Sequence, residues 1–268
     1  MRANGTVAVV TGGGRGIGFA IGSLLAKQGH RVLLTDIDES LVREAARRIG
    51  AECAWAVQDV RDAASHERVA QRANEMGQLG VWVNNAGILI SGDGWTNSPD
   101  DIAASFDVNV RGVIAGSTAA VQAMTPGGRI LNIASNAALG PVPGLAVYAA
   151  TKAAVLSYST SLQGDLDHAG LPIRVHALCP DVVATDMVTS RSDDAGAAIL
   201  FAGGRHLDAE DVATAAVKLL DSTGLVRSVP RMSGLLTRCT GLVPTVGLRF
   251  SVLARRSGEE RQRKVGSK

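Results

Sequence analysis

Tyr148 and Lys152 stand four residues apart in Tyr-Ala-Ala-Thr-Lys. On a helix that spacing puts both side chains on one face, a turn from each other. A phenol is a poor base near neutral pH, because its ordinary pKa is about 10. A neighbouring ammonium favours phenolate and lowers that value, so the pair reads as a tunable proton donor and acceptor. Ser135 follows an apolar run, residues 129–134, that reads as a buried strand. A hydroxyl at the C-terminal edge of a strand can hydrogen-bond a substrate oxygen, and open α/β sheets place ligands at that edge. Tyr-x-x-x-Lys alone is common. It gains meaning only if the same chain binds a redox cofactor.

The elements that would position these residues begin with Thr6–Val10, a short apolar run with the look of a buried parallel strand. Gly12, Gly14, Arg15, Gly16, Ile17 and Gly18 follow, and then an apolar helical pattern from Phe19 to Gly29. Strand, glycine turn and helix in that order make a phosphate-binding unit. Glycines let the backbone approach a pyrophosphate, and the helix N-terminus offers unpaired N–H groups. The second strand, Arg31–Thr35, ends at Asp36 with Ile37 beside it, eighteen residues beyond Gly18. A carboxylate there would accept hydrogen bonds from the adenosine ribose and repel a 2′-phosphate, which favours NAD over NADP. Arg15 pulls the other way, because a cation in the glycine loop could hold that phosphate. After a third strand, residues 51–57, Asp59 and Val60 could cap an adenine. His66 falls on the next helix, residues 62–76, on a face expected to be solvated.

Size and composition suit one large α/β domain. The chain has 268 residues, 46% hydrophobic, with 31 glycines, enough for a sizeable core. A net charge of +2 gives no case for nucleic acid. Cys53, Cys179 and Cys239 fit neither a disulfide framework nor a metal site, which points to a reducing cytosol. The start is short and polar, with no secretory signal, and no apolar run is long enough to span a bilayer.

A fourth strand, residues 80–83, leads into Asn84-Asn85-Ala86-Gly87. With Thr-Gly-x-x-x-Gly-Ile-Gly at 11–18, Ser135 and Tyr-x-x-x-Lys at 148–152, the chain resembles the short-chain dehydrogenase/reductase family, in its shorter single-domain subclass. The motifs occur in family order from residue 6 to about 187. The resemblance implies a doubly wound, parallel Rossmann-fold sheet of about seven strands with helices on both faces. It places NAD on Gly12, Gly14, Arg15, Gly16, Ile17, Gly18, Asp36, Ile37, Asp59, Val60, Asn85, Ala86, Gly87, Tyr148, Lys152, Pro180, Val183 and Thr185. It makes Asn109, on a long helix over 100–124, part of a proton relay, holding a water against Lys152. Ser135 polarises the substrate oxygen, Tyr148 passes the proton, and Lys152 lowers the tyrosine pKa and holds the nicotinamide ribose. A homodimer or homotetramer is implied through the 100–124 and 148–168 helices, whose small residues also suit packing on their own sheet. The expected substrate is a secondary alcohol or ketone.

Two departures stand out. Asp181 occupies a position where the family usually carries glycine, in the loop expected over the nicotinamide. Some forty residues also follow the seventh strand, residues 226–229. Residues 1–230 therefore read as one catalytic domain, with a substrate lid at about 188–207. Residues 231–268 read as an apolar, basic extension, residues 249–268 alone carrying seven Lys/Arg against two Asp/Glu. That extension could cover its own substrate pocket, meet a partner subunit, or lie on an anionic membrane. In this it resembles family members that handle lipophilic alcohols and ketones. The rival readings are a nucleotide-binding scaffold or sensor without turnover, an NADPH-dependent carbonyl reductase, and a peripheral membrane protein; a sugar-nucleotide epimerase fits the glycine spacing less well.

Overall fold

The computed structural model describes residues 5–124, 127–203 and 206–266. Of the expected lid, residues 204–205 lie outside the described residues, as do 1–4 and 267–268 at the two ends. The amino-terminal half alternates strictly: β1 (Thr6–Thr11), α1 (Gly16–Lys27), β2 (Arg31–Asp36), α2 (Glu39–Ile49), β3 (Cys53–Val57), α3 (Ala63–Met76) and β4 (Gln78–Asn84). Next come α4 (Pro99–Phe106), a π-helical turn over Asp107–Arg111, and α5 (Gly112–Ala123). After β5 (Arg129–Ile133) lie α6 (Ala146–His168), β6 (Arg174–Pro180), α7 (Asp186–Thr189), α8 (Ala209–Leu220) and β7 (Val226–Val229). The chain closes with α9 (Arg231–Leu242) and α10 (Pro244–Gly266).

All seven strands are parallel, in the order β3-β2-β1-β4-β5-β6-β7. Alternation along β1 shows why the sheet is covered on both sides. Ala8 and Val10 join Ile21, Leu25 and Val212 in one core, while Val7 and Val9 join Val69, Leu79 and Trp82 in the other. Burial on two faces explains the near-continuous apolar runs of these strands. Strand order reverses between β1 and β4, so a crevice opens at their C-terminal ends, the switch point where doubly wound sheets take ligands.

Helix starts are set by local chemistry. Asp38 accepts from Leu41 N, Asp62 from Ala64 N, and Ser98 from Asp101 N with Pro99 following. The expected 100–124 helix is a single run interrupted by the π-turn. The third strand begins only at Cys53, because Gly50 turns with φ +115°. His66 is buried, contrary to the solvated face expected from its helix. Its Nε2 pairs with Val60 O at 2.9 Å and its Nδ1 with Gln58 Nε2 at 3.2 Å. Helical periodicity did not show that this face of α3 lies under the β3–α3 loop. The extension forms two helices, and none among the described residues is long and apolar enough to cross a membrane.

Candidate active site

The crevice is built first from main chain. Gly13 N donates to Thr35 O at 2.8 Å, and Gly14 N to Asp36 Oδ2 at 3.0 Å, which ties the glycine turn to the end of β2. Thr11 Oγ1 accepts from the N–H groups of Asn85 and Ala86 at 3.1 Å. Asn85 Nδ2 donates to Thr11 O and Gly12 O at 3.0 and 2.9 Å. The turns after β1 and β4 are thus locked together. Gly12 adopts φ +62°, and a Cβ there would lie 2.8 Å from Ala86 Cα. A Cβ on Gly18 would come 2.2 Å from Gly12 O and 2.5 Å from Asn85 Nδ2. Gly18→Ala is therefore expected to lower stability by about 1–3 kcal/mol, as overpacking does. A lower urea midpoint at constant m would show it; an unchanged midpoint would mean the turn relaxes freely.

The far loop reaches the same place. A Cβ on Gly16 would lie 3.2 Å from Thr185 Cγ2, and Arg15 pairs with Asp186 at 3.1 Å. Arg15 is thus turned toward α7, and the pair is exposed enough to contribute little to stability. Ile37 is exposed beside Asp36. Asp59 is gripped by Arg61 Nε and Nη2, which holds its carboxyl below the usual range. Val60 is buried, with its backbone carbonyl close to Gly112 of α5.

Behind the crevice, Tyr148 and Lys152 leave one face of α6, with Nζ 5.7 Å from the phenol ring centre. Ser135 follows β5 after Ala134, with its side chain beside the Tyr148 hydroxyl. Its Oγ also accepts from Ala137 N at 3.1 Å. Lys152 is buried and donates to Ile133 O at 2.9 Å. Desolvation lowers its ammonium to about 8. Tyr148 as a whole is only half-buried, yet burial pushes its phenol up to about 12, with the nearby Ser135 opposing.

Asn109 sits in the π-turn, a feature that often marks functional sites. Its Oδ1 accepts from Ile88 N and its Nδ2 donates to Ile88 O, both at 2.8 Å. Nδ2 also reaches Thr151 Oγ1 at 3.1 Å. A Cβ on Gly87 would meet Asn109 Oδ1 at 3.1 Å and Lys152 Nζ at 3.5 Å, so both polar groups converge on one bare stretch of backbone. Thr151 was missed by sequence reasoning. It is fully buried and donates to Tyr148 O at 2.7 Å; its hydroxyl, one residue before Lys152 in the motif, was the available signal.

Asp181 has a negative φ, as does every non-glycine residue described, so this loop does not use glycine's conformational freedom. Its side chain accepts from Val182 N at 2.9 Å and from Ser233 Oγ of α9. Ser233 also accepts from Asn136 Nδ2 at 3.2 Å. The extension thus binds the residue after Ser135 to the loop after β6. Nothing local in sequence pairs Ser233 with a partner 52 residues away. Pro180 ends β6, Val183 is buried and bridged to Leu207, and Thr185 precedes α7.

A family model described as short chain dehydrogenase matches residues 6–196. The 3-beta-hydroxysteroid dehydrogenase of Comamonas testosteroni is 34% identical over 189 residues, 70% of this chain and 74% of that protein. A short chain dehydrogenase/reductase from Burkholderia phymatum, solved in complex with NAD, superposes with a TM-score of 0.82 at 29% identity, covering 89% of this chain and 93% of that one. The 3-ketoacyl-(acyl-carrier-protein) reductase of Brucella melitensis, complexed with NADH, gives 0.74 at 30% identity over 84% and 97% of the two chains. Sheet order, crevice and matched span agree, and the chain belongs to the short-chain dehydrogenase/reductase family, as an oxidoreductase that uses a nicotinamide cofactor.

Proposed function

We propose that the chain moves hydride between NAD(H) and a secondary alcohol or ketone of apolar character, with Tyr148 as general acid and base. The observation that carries this reading is Tyr148 and Lys152 on one face of α6, Nζ 5.7 Å from the phenol ring centre, with Ser135 beside them at the end of β5, at the sheet's switch point. The residues fit the cofactor. Gly12 and Gly18 leave main chain bare where a side chain would collide, and Asp36 stands at the end of β2. Gly14, Arg15, Gly16 and Thr185 would face the pyrophosphate, Asp36 and Ile37 the adenosine, and Lys152 and Val183 the nicotinamide end. When bound, the nicotinamide supplies or takes the hydride. Ser135 polarises the substrate oxygen, and Tyr148 gives or takes its proton. Asn109, its side-chain oxygen spent on Ile88, holds the relay water through main chain and fixes Ile88 beside Lys152.

Apolar lining supports the substrate class. Tyr148 packs against a cluster of Leu89, Leu145, Val188 and Leu200 with Ile199 and Phe201 from the lid. The similarity to a hydroxysteroid dehydrogenase points the same way. Residues 1–230 act as the catalytic unit, with residues 188–207 as its lid and 231–268 as an appended extension. Self-association through α5 and α6, and residence in a reducing cytosol, complete the reading.

Asp36 decides between the two cofactors. A 2′-phosphate beside it would set like charges together, a cost of several kcal/mol, or roughly 10²-fold in affinity. Arg15, turned to Asp186, offers that phosphate less. Paired fluorescence titrations with NADH and NADPH test this. NADH is expected to bind tighter, and Asp36→Asn to narrow the gap. Tighter NADPH binding by the wild-type chain would overturn the assignment.

A further inference from the structure

The extension is built inside out. On α9 the residues turned inward include Ser233, Gly234, Thr237 and Thr240; on α10 they include Gly247, Ser251 and Gly258, with Val252 and Ala254 half-buried. These small residues make close contacts. A Cβ on Gly258 would lie 1.9 Å from Ala198 O, and one on Gly241, at the end of α9, 2.2 Å from Leu139 O. Ser251 Oγ donates to Pro141 O at 2.9 Å, and Arg255 pairs with Asp93 at 2.6 Å. The large aliphatic and aromatic side chains face the other way. Met232, Leu235, Leu236, Leu242, Phe250 and Leu253 are all exposed, Leu242 by 82% and Phe250 by 63%. A helix pair facing water alone would present the opposite pattern.

Charge narrows the occupant. From residue 222 to 258 the chain has no Asp or Glu and six Arg. Arg231, Arg238, Arg249 and Arg256 are exposed, and among the described residues none of them forms an ion pair. A two-fold contact with a second copy would set these arginines against one another, with only Glu260 exposed among the acids of α9 and α10, since Glu259 faces Arg255. An apolar face rimmed by arginines, with Glu259 and Glu260 confined to the later part of α10, complements an anionic lipid surface: side chains such as Phe250 and Leu253 enter the acyl boundary while the arginines meet phosphates.

We propose that α9 and α10 form a docking face for anionic bilayers, on which the protein sits peripherally. Their inner faces rest on the 139–141 loop and the 195–201 turn, next to the apolar cluster around Tyr148. Docking therefore brings the substrate side of the molecule to the membrane. The proposal stands on the extension's own surface and does not depend on turnover.

Flotation of the full chain with vesicles tests it, using phosphatidylcholine alone or mixed with phosphatidylglycerol. Binding is expected only to the mixed vesicles, weakening as salt rises. Each arginine near an anionic surface is worth about fivefold in partitioning, so Arg249→Gln with Arg256→Gln should weaken it about 25-fold. Phe250→Ser with Leu253→Ser should weaken it as well, with the thermal melt of each variant serving as the folding control. Equal binding to neutral vesicles, or no flotation, would overturn the proposal. So would failure to float joined with a wild-type oligomer that the Phe250/Leu253 variant dissociates in light scattering, because the face would then belong to a second copy.

Discussion

Tyr148→Phe is expected to reduce turnover by about 10²- to 10⁴-fold, the usual worth of a positioned general acid or base, while leaving cofactor affinity nearly intact. The substitution removes one hydroxyl, which lies beside Ser135. The ring remains packed against the lid cluster, so stability should change by only about 1 kcal/mol. Direction of reaction adds a second signature. With its phenol raised to about 12, Tyr148 is a ready proton donor at neutral pH and a poor acceptor. Carbonyl reduction should therefore run well near neutrality. Alcohol oxidation, which needs phenolate, should climb as pH rises toward 8, where the Lys152 ammonium begins to be lost. Stopped-flow or steady-state rates in both directions would read this. A variant that keeps most of its activity would remove Tyr148 from the chemistry and leave the chain as a nucleotide-binding scaffold.

Legibility in the sequence followed the range of the interactions concerned. The order strand, glycine turn, helix at 6–27 was plain because its causes are local: apolar alternation, and glycines where backbones meet. The pair on α6 was legible for the same reason, since four residues make one helical turn. What could not be read depends on distant partners. His66 lies on an otherwise polar helix, and only the return of the β3–α3 loop over it makes it buried. Thr185 meets the glycine loop, and Arg15 meets Asp186, across some 170 residues. At Asp181 the family's usual glycine would allow special backbone angles. The φ of Asp181 is ordinary, and its carboxylate is held by Ser233 of the extension, so the two departures from the family pattern meet in one contact. The π-turn around Asn109 had no sequence signal at all, as a helical pattern tolerates one extra residue without losing its apolar stripe.

Lys152→Met should cost turnover heavily and yet remove a pH-dependent destabilisation. The ammonium is buried, and its hydrogen-bond partner among the described residues is a single carbonyl, Ile133 O. Desolvation therefore holds its pKa near 8, below the roughly 10.4 of an unfolded chain. Below pH 8 both states carry the proton, and the folded state bears the full penalty. Between 8 and about 10.4 the unfolded chain still binds a proton that the folded chain has released, so unfolding free energy rises with pH. Above that window the penalty is gone. Methionine fills similar space without the charge and has no such slope. The stability of wild type relative to Lys152→Met should thus improve by about 2 kcal/mol between about pH 7.5 and 9.5. Tyr148 and Cys53, whose raised pKa values lower stability at high pH, contribute to both proteins and cancel in the difference, whereas Cys179, whose thiol the Lys152 charge pulls down, cancels only in part. Urea melts of the two proteins at both pH values measure it. A gap that does not move with pH would mean that Lys152 is solvated or paired in the folded chain, and the strained ammonium beside Tyr148 would have to be given up. A moving gap together with turnover reduced about 10²-fold or more would show a residue kept for chemistry at the expense of stability, as active-site groups commonly are.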